Sequence, residues 1–251
     1  MNLWGNLDED KLDYYHQIVN KKFFGVYYVL KLMSNDVLKE WGLDKEIEYN
    51  DESSFFKALK FQIGDEKVVF IRNVQRICAD IINTYCKILV HRDNIKGMYE
   101  LTNDYKVEKY WFEYNAQYAI RLISTLNDYL YRYINLVNQF EIKPKATFKN
   151  DVVKKLKEYK KRNVVVALGK NSSLLDNYRN NITHNYNVFI NGALKVTKEK
   201  NSEFVGREKN DINSINQFIN DFEEFIIFIV LKYKKVYKEN SKDNKLGIKN
   251  E

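Results

Sequence analysis

Proline is almost absent from this chain: Pro144 is the single proline among 251 residues, and there are nine glycines. Proline breaks helices and glycine weakens them, so a sequence poor in both tolerates long helices. An all-β protein with many turns would use more of these two residues. The composition therefore predicts an all-α protein, and a chain of this length can bury a sizeable core.

Apolar residues recur at helical spacing along most of the chain. The clearest stripe predicts a helix from Asp65 to Val90, which the polar residues after Val90 would end. This stripe comprises Val68, Ile71, Val74, Ile77, Cys78, Ile81, Ile82, Tyr85, Ile88 and Leu89. Further predicted helices span 8–34, 35–41, 103–140, 150–161 and 211–237. The segment 188–196 differs, because Asn191-Gly192 between two apolar runs is the strongest short signal for a β-hairpin.

The predicted helix 103–140 separates apolar from polar residues on a helical wheel. Its apolar side comprises Trp111, Tyr118, Leu122, Leu126, Tyr129, Tyr133 and Val137. Its polar side comprises Gln117, Arg121, Thr125, Asp128, Arg132 and Asn135. Such a stripe suits a solvated face with an Asp128–Arg132 ion pair at i,i+4. It also suits the lining of an active cleft, so Asp128 and Arg132 are candidate substrate-binding residues.

Neither an internal repeat nor a clear linker divides the chain. We therefore predict an N-terminal helical part, residues 1–100, packed on a helical core, residues 101–238. The last residues, 239–251, are polar and basic, which predicts a disordered tail.

The formal charge of +7 and the sequence pI of about 9.0 favour an anionic partner such as nucleic acid or an acidic protein. Cys78 and Cys86 lie two turns apart on one predicted helix, too far for a disulfide, and fit a reducing cytoplasm. No signal peptide is visible at the N-terminus. The longest apolar run, Phe225–Leu231, is shorter than the roughly 20 residues that span a bilayer. We therefore expect a cytoplasmic protein without a membrane segment.

Familiar cofactor motifs are missing from the sequence. There is no pair of cysteines or histidines at metal-ligand spacing, no glycine-rich phosphate loop and no nucleophile elbow. We therefore predict neither a metal site nor a cofactor.

One segment, Asp176–Tyr186, carries a chemically suggestive pattern. Arg179 is followed directly by Asn180, and His184 lies five positions after the arginine. A helix that Ser173 would cap, with Asp176 at a capping-box spacing, carries this pattern. Arg179 and His184 would point roughly 140° apart on an ideal helix, whereas Asn180 and His184, at i and i+4, would share a face.

This pattern resembles the signature of the HEPN superfamily (higher eukaryotes and prokaryotes nucleotide-binding), an arginine and then a histidine after four to six residues. A polar residue often follows the arginine, as Asn180 does here. Tyr186, two places after His184, matches a variant of toxin–antitoxin members. The resemblance implies an up-and-down helical bundle, here with an N-terminal helical extension, and a homodimer whose active site is shared by both chains.

The resemblance also implies an activity, the metal-independent cleavage of RNA. His184 would take the proton from a ribose 2′-hydroxyl, whose oxygen would attack the adjacent phosphorus and leave a 2′,3′-cyclic phosphate. Arg179 would stabilise the charge on the phosphate, and Asn180 would orient the imidazole. Tyr186 would contact the substrate or accept a nucleotidyl group from a nucleotidyltransferase or antitoxin partner. Such a protein would serve as a toxin or an antiphage defence effector.

Other interpretations fit the same residues. The chain would also suit a catalytically inactive HEPN-like module that binds protein or nucleic acid, or a nucleotide-binding or nucleotidylated regulatory protein. Arg179 would equally suit a surface residue that pairs with Asp176. His184 would equally suit a helix C-terminal group that interacts with the helix dipole.

Overall fold

The computed structural model describes residues 7–40, 66–96, 98, 102–169, 172–185 and 204–247. The helices in these ranges are α1 Glu9–Lys22, α2 Phe24–Glu40, α3 Glu66–Lys96, α4 Asn103–Val137, α5 Phe148–Glu158, α6 Arg162–Leu168, α7 Ser173–Asn185 and α8 Phe204–Gly247. No strand occurs in the described ranges, so the predicted all-α class is confirmed. The hairpin predicted at 188–196 lies outside the described residues.

The helices form two compact units. Unit 1 contains α1, α3 from Ala79, α4 up to Thr125, α7 and α8 up to Ile229. Unit 2 contains α2, the earlier part of α3, the later part of α4, α5, α6 and α8 from Val230. The division at residue 100 made from the sequence stays a prediction.

The stripe of α3 is buried as the sequence predicted, but the helix is longer than predicted. Val74, Ile81 and Ile88 are fully buried, and only Ile77 of the predicted stripe remains half-buried. The predicted end near Val90 is wrong, because the buried face continues one more turn through His91 and Ile95 to Lys96. Packing of that last turn outweighs the polar character of its other residues.

The predicted helix 8–34 is broken at Phe23, and residues 35–40 of the predicted short helix 35–41 are part of α2. The Phe23 side chain is fully buried at the break. Two residues later, Gly25 lies against α8, where a Cβ atom would collide with Cγ1 of Val230 and Cε of Lys234. Glycine therefore permits the close approach of α2 and α8 within unit 2.

We expect Gly25→Leu to lower the free energy of unfolding by about 2 kcal/mol, because the β-branched Val230 cannot turn away from the added side chain. Lys31→Leu, at an exposed position of the same helix, should change it by less than about 0.5 kcal/mol. Chemical denaturation of both variants checks this. An unchanged midpoint for Gly25→Leu would show that the helices can separate at no cost.

The buried face of α4 is rotated from the predicted one in its first half. Phe112, Ala116 and Ala119 are fully buried, whereas Tyr118, assigned to the core, is 45% exposed, and Trp111 is half-buried. In the second half, Leu122, Leu126 and Tyr133 are buried as predicted. The helical wheel was centred on the large aromatic residues and therefore missed Ala116 and Ala119. Their small side chains allow other parts of the protein to pack closely against α4.

The C-terminal helices also depart from the predicted boundaries. The short helix α6 includes Val164–Val166, where the sequence predicted no helix. Helix α8 begins at Phe204 and continues to Gly247, so residues 239–247 are helical and not the disordered tail that their polarity predicted. Asn240 is buried and its side-chain oxygen accepts a hydrogen bond from Asn138, which ties this end to the residues after α4.

Cys78 and Cys86 are both buried, as predicted for core residues. Burial raises the pKa of the Cys86 thiol to about 12, so it stays protonated. None of the described helices is both apolar and long enough to cross a bilayer.

Candidate functional site

The helix that carries the Arg–His pattern is α7, and its first turn is capped by Ser172. The side-chain oxygen of Ser172 accepts a hydrogen bond from the Leu175 backbone N–H at 3.3 Å. The sequence placed the cap one residue later, at Ser173, which is instead the first helical residue. Either serine suits the cap chemically.

Tyr178 anchors α7 to α8 inside unit 1. Its hydroxyl donates to Oδ2 of Asp221 at 2.7 Å, and Nε2 of Gln217 donates to Oδ1 of the same carboxylate at 2.7 Å. The rings of Phe218 and Phe225 meet the Tyr178 ring edge-on, with centroids 5.6 and 5.8 Å away. Burial and the hydrogen bond to Asp221 raise the pKa of the Tyr178 phenol, so it remains a donor.

Arg179 and Asn180 of the pattern lie beside this anchor on the exposed part of α7. Leu175, Tyr178 and Ile182 are buried at helical spacing, whereas Arg179 and Asn180 are exposed. The anchor therefore holds the backbone of α7 while the guanidinium and the amide stay accessible to a ligand. An exposed arginine on a fixed helix suits the binding of a phosphate.

His184 belongs to α7, which ends at Asn185, so Asn180 and His184 are four residues apart on a continuous helix. This supports the predicted i,i+4 relation through the backbone. The structure does not describe the His184 side chain, and Tyr186 lies outside the described residues. The roles of these two residues therefore stay predictions.

The second half of the α4 polar stripe, which lies in unit 2, is occupied by structural contacts. Asp128 pairs with Lys149 of α5, not with Arg132 as the sequence predicted. The Arg132 guanidinium instead lies over the Tyr129 ring, 4.9 Å from its centroid. Asn135 holds the turn after α4, since its side chain both donates to the Ile142 carbonyl and accepts from the Ile142 N–H. These contacts favour a structural role for Asp128, Arg132 and Asn135.

A buried polar pair that the sequence analysis missed joins α3 to α4 in unit 1. Nδ1 of His91 lies 2.7 Å from Oε2 of Glu108, and the side chains are 2% and 3% exposed. Asn94 Nδ2 donates to the same oxygen at 3.2 Å. Because substrate cannot reach side chains so deeply buried, the pair is structural. In the sequence His91 looks like an ordinary polar residue at a helix end. Its buried role is visible only through its partner, Glu108, 17 residues away.

A second carboxylate, Glu223 of α8, accepts hydrogen bonds from Lys22 at 2.5 Å and from the Tyr85 hydroxyl at 2.9 Å. Burial by itself raises the pKa of Glu223, but these two donors outweigh it and leave the pKa below its usual range. Glu223 is thus a charged cross-link of unit 1. No group of three or more His, Cys, Asp or Glu side chains suited to a metal ion occurs in the described ranges.

Comparison with known proteins identifies a family. A family model described as Cthe2314-like HEPN matches residues 69–241, which is more than half of the chain and includes α7 with the Arg–His pattern. No curated protein and no solved structure matches the chain. The family match starts within α3, inside the segment that the sequence analysis separated from the core. The chain therefore belongs to the HEPN superfamily, within its Cthe2314-like family.

Proposed function

We propose that this protein is a metal-independent endoribonuclease whose active residues are Arg179, Asn180 and His184. The proposal rests on one observation: in this HEPN chain the Arg–His pattern lies on a helix that is fixed in place. Arg179 and Asn180 are exposed on α7, while Tyr178 fastens that helix to Asp221 of α8. Catalytic groups need such a fixed support, because small displacements from productive geometry cost much of the rate.

The chemistry requires one base and one charge-stabilising group. His184 removes the proton from the 2′-hydroxyl, and the 2′-oxygen forms a bond to phosphorus as the bond to the 5′-oxygen breaks. Arg179 donates to the phosphate oxygens, where negative charge grows. Asn180, one turn before His184, orients the imidazole. The products are a 2′,3′-cyclic phosphate and a free 5′-hydroxyl.

Product analysis tests this reaction directly. The purified chain should cleave single-stranded RNA in the presence of EDTA and leave 2′,3′-cyclic phosphate ends. The same oligonucleotide with a 2′-deoxyribose at the cleaved position should resist cleavage there, since the nucleophile is missing. Complete loss of activity in EDTA, or equal cleavage of the deoxy substrate, would contradict the proposal.

A shared active site predicts complementation between two inactive variants. In a two-fold homodimer in which Arg179 of one chain meets His184 of the other, a mixed dimer of Arg179→Ala and His184→Ala regains one intact site. Random exchange of the variants at equal concentration should therefore restore about a quarter of the wild-type activity. Cleavage by the mixture at the level of the separate variants would contradict a composite site.

Binding without cleavage is the alternative outcome. If the purified chain bound RNA, or a protein partner, but left RNA intact under all these conditions, the exposed Arg179 and Asn180 would serve recognition only. The protein would then be a HEPN module that has lost catalysis.

A further inference from the structure

Positive charge is concentrated in one short part of the chain. Residues 143–162, here called the basic segment, contain nine lysines and arginines and two acidic residues, Asp151 and Glu158. The net charge of this segment, +7, equals that of the whole chain, so the remaining residues are balanced. The basic segment comprises α5 with its flanking turns and the first residue of α6, and it lies entirely in unit 2.

Only part of this charge is neutralised by neighbours. Lys145 pairs with Asp151, Lys155 with Glu158, and Lys149 with Asp128. Lys161 donates to the side-chain oxygen of Asn138. The other cations of the segment are exposed and form no salt bridge within the described part of the chain. These residues, here called the free cations, are Lys143, Lys154, Lys157, Lys160 and Arg162.

An exposed aromatic ring lies among these free cations. Tyr159 is 62% exposed, follows Lys157 by two residues and packs against Phe140 with ring centroids 5.3 Å apart. The turn after α5 is closed by a 3.0 Å hydrogen bond from the Lys160 N–H to the Lys157 carbonyl. The ring is therefore held in place, and exposed cations precede and follow it along the chain.

This combination favours nucleic acid over a membrane surface. A helix that lies on a membrane inserts an apolar face into the lipid. Of the apolar residues of α5, Val152 and Leu156 are fully buried in the protein and Phe148 and Val153 are half-buried, and Tyr159 is the only large apolar side chain of the segment that is exposed. Free cations beside an exposed aromatic ring instead match the phosphates and bases of a single strand.

We propose that the basic segment is a binding surface for single-stranded RNA, separate from the Arg–His pattern on α7. The free cations bind backbone phosphates, and a base stacks on Tyr159. The choice of RNA rests on the proposed function, whereas the surface itself rests on the charge, exposure and ring packing of these residues.

The charge contribution is tested by salt dependence in the His184→Ala chain, which should bind its probe without cutting it. The probe is a labelled single-stranded RNA of about 16 nucleotides. Adding Lys154→Gln, Lys157→Gln, Lys160→Gln and Arg162→Gln together should weaken binding at least tenfold at low salt. It should also reduce the slope of log affinity against log salt by about 3, since each lost phosphate contact removes about 0.7.

A matched control carries the same change of charge elsewhere. Glutamine at the exposed Lys31, Lys106, Lys235 and Lys238 should leave the affinity within about threefold of the parent and the slope nearly unchanged. Equal losses in the two variants would overturn the proposal, because binding would then follow net charge alone.

Stacking is tested separately at Tyr159. Tyr159→Leu should weaken RNA binding about tenfold, whereas Tyr159→Phe, which keeps the ring, should bind like the parent. Equal binding by all three chains would remove stacking from the proposal. If the four glutamines weaken binding to vesicles that contain phosphatidylserine but leave binding to RNA unchanged, the surface belongs to membranes. That result would overturn the proposal.

The two proposals fail in different ways. If the intact chain binds RNA through the basic segment but never cleaves it, the ribonuclease proposal fails and this inference stands. If the variant with four glutamines, prepared with His184 intact, binds and cleaves like the wild type, this inference fails and the ribonuclease proposal stands.

Discussion

Replacing His184 with alanine is expected to lower the rate of RNA cleavage by about 10²- to 10⁴-fold, with little change in RNA affinity. A positioned general base contributes this much to proton-transfer chemistry, and alanine cannot accept the 2′-hydroxyl proton. The fold should survive, because Leu175, Tyr178 and Ile182 remain buried and hold α7 in unit 1. Single-turnover cleavage at saturating enzyme measures the effect on the chemical step.

Thr183→Ala is the matched control for this experiment. Thr183 is the preceding residue on the same helix, is exposed, and donates to the Arg179 carbonyl within α7. Its removal should leave the cleavage rate within about twofold of the wild type and the unfolding midpoint nearly unchanged. Equal rates for the wild type and His184→Ala would exclude His184 as the base, and an equal loss for Thr183→Ala would point to damage of the helix.

Truncating the buried His91 is expected to have the largest effect on stability. In His91→Ala the Glu108 carboxyl group keeps its 3.2 Å hydrogen bond from Asn94 but loses the imidazole at 2.7 Å. Breaking a buried pair on one side typically costs about 3–5 kcal/mol, because the remaining group stays desolvated. Chemical denaturation monitored by circular dichroism would measure the loss of unfolding free energy.

Removing both members of the pair separates the cost of the lost interaction from the cost of the desolvated carboxyl group. His91→Leu combined with Glu108→Leu leaves no desolvated carboxyl group, so it should be clearly more stable than His91→Ala. Lys242→Ala, which removes the surface Lys242–Glu239 pair, should leave the unfolding midpoint almost unchanged. If His91→Ala unfolds at the wild-type midpoint, the buried pair makes no net contribution to stability.

Long helices follow from the sequence because their hydrogen bonds are local and their apolar period is visible in one segment. The stripe of α3 was therefore predicted almost residue by residue, and the helix bearing Arg179 and Asn180 was placed correctly. The Arg–His spacing also led to the superfamily that the family match confirms. These features depend on residues separated by fewer than about two helical turns.

Partners and buried faces required the tertiary structure, since they depend on residues distant along the chain. The sequence paired Asp128 with Arg132 one turn away, but packing brings Lys149 to it instead. It placed Tyr118 in the core, although the neighbours of α4 cover Ala116 and Ala119. It ended α3 before His91, whose buried partner Glu108 lies on the next helix.

Sequence alone thus determined that this chain is helical and which helix carries the candidate catalytic residues, because both are encoded by local spacing. The tertiary structure decided that Tyr178 fastens that helix to Asp221, 43 residues away, and that Arg179 and Asn180 remain exposed. The physical reason is that burial is a property of the surfaces that meet. No single segment contains both of those surfaces.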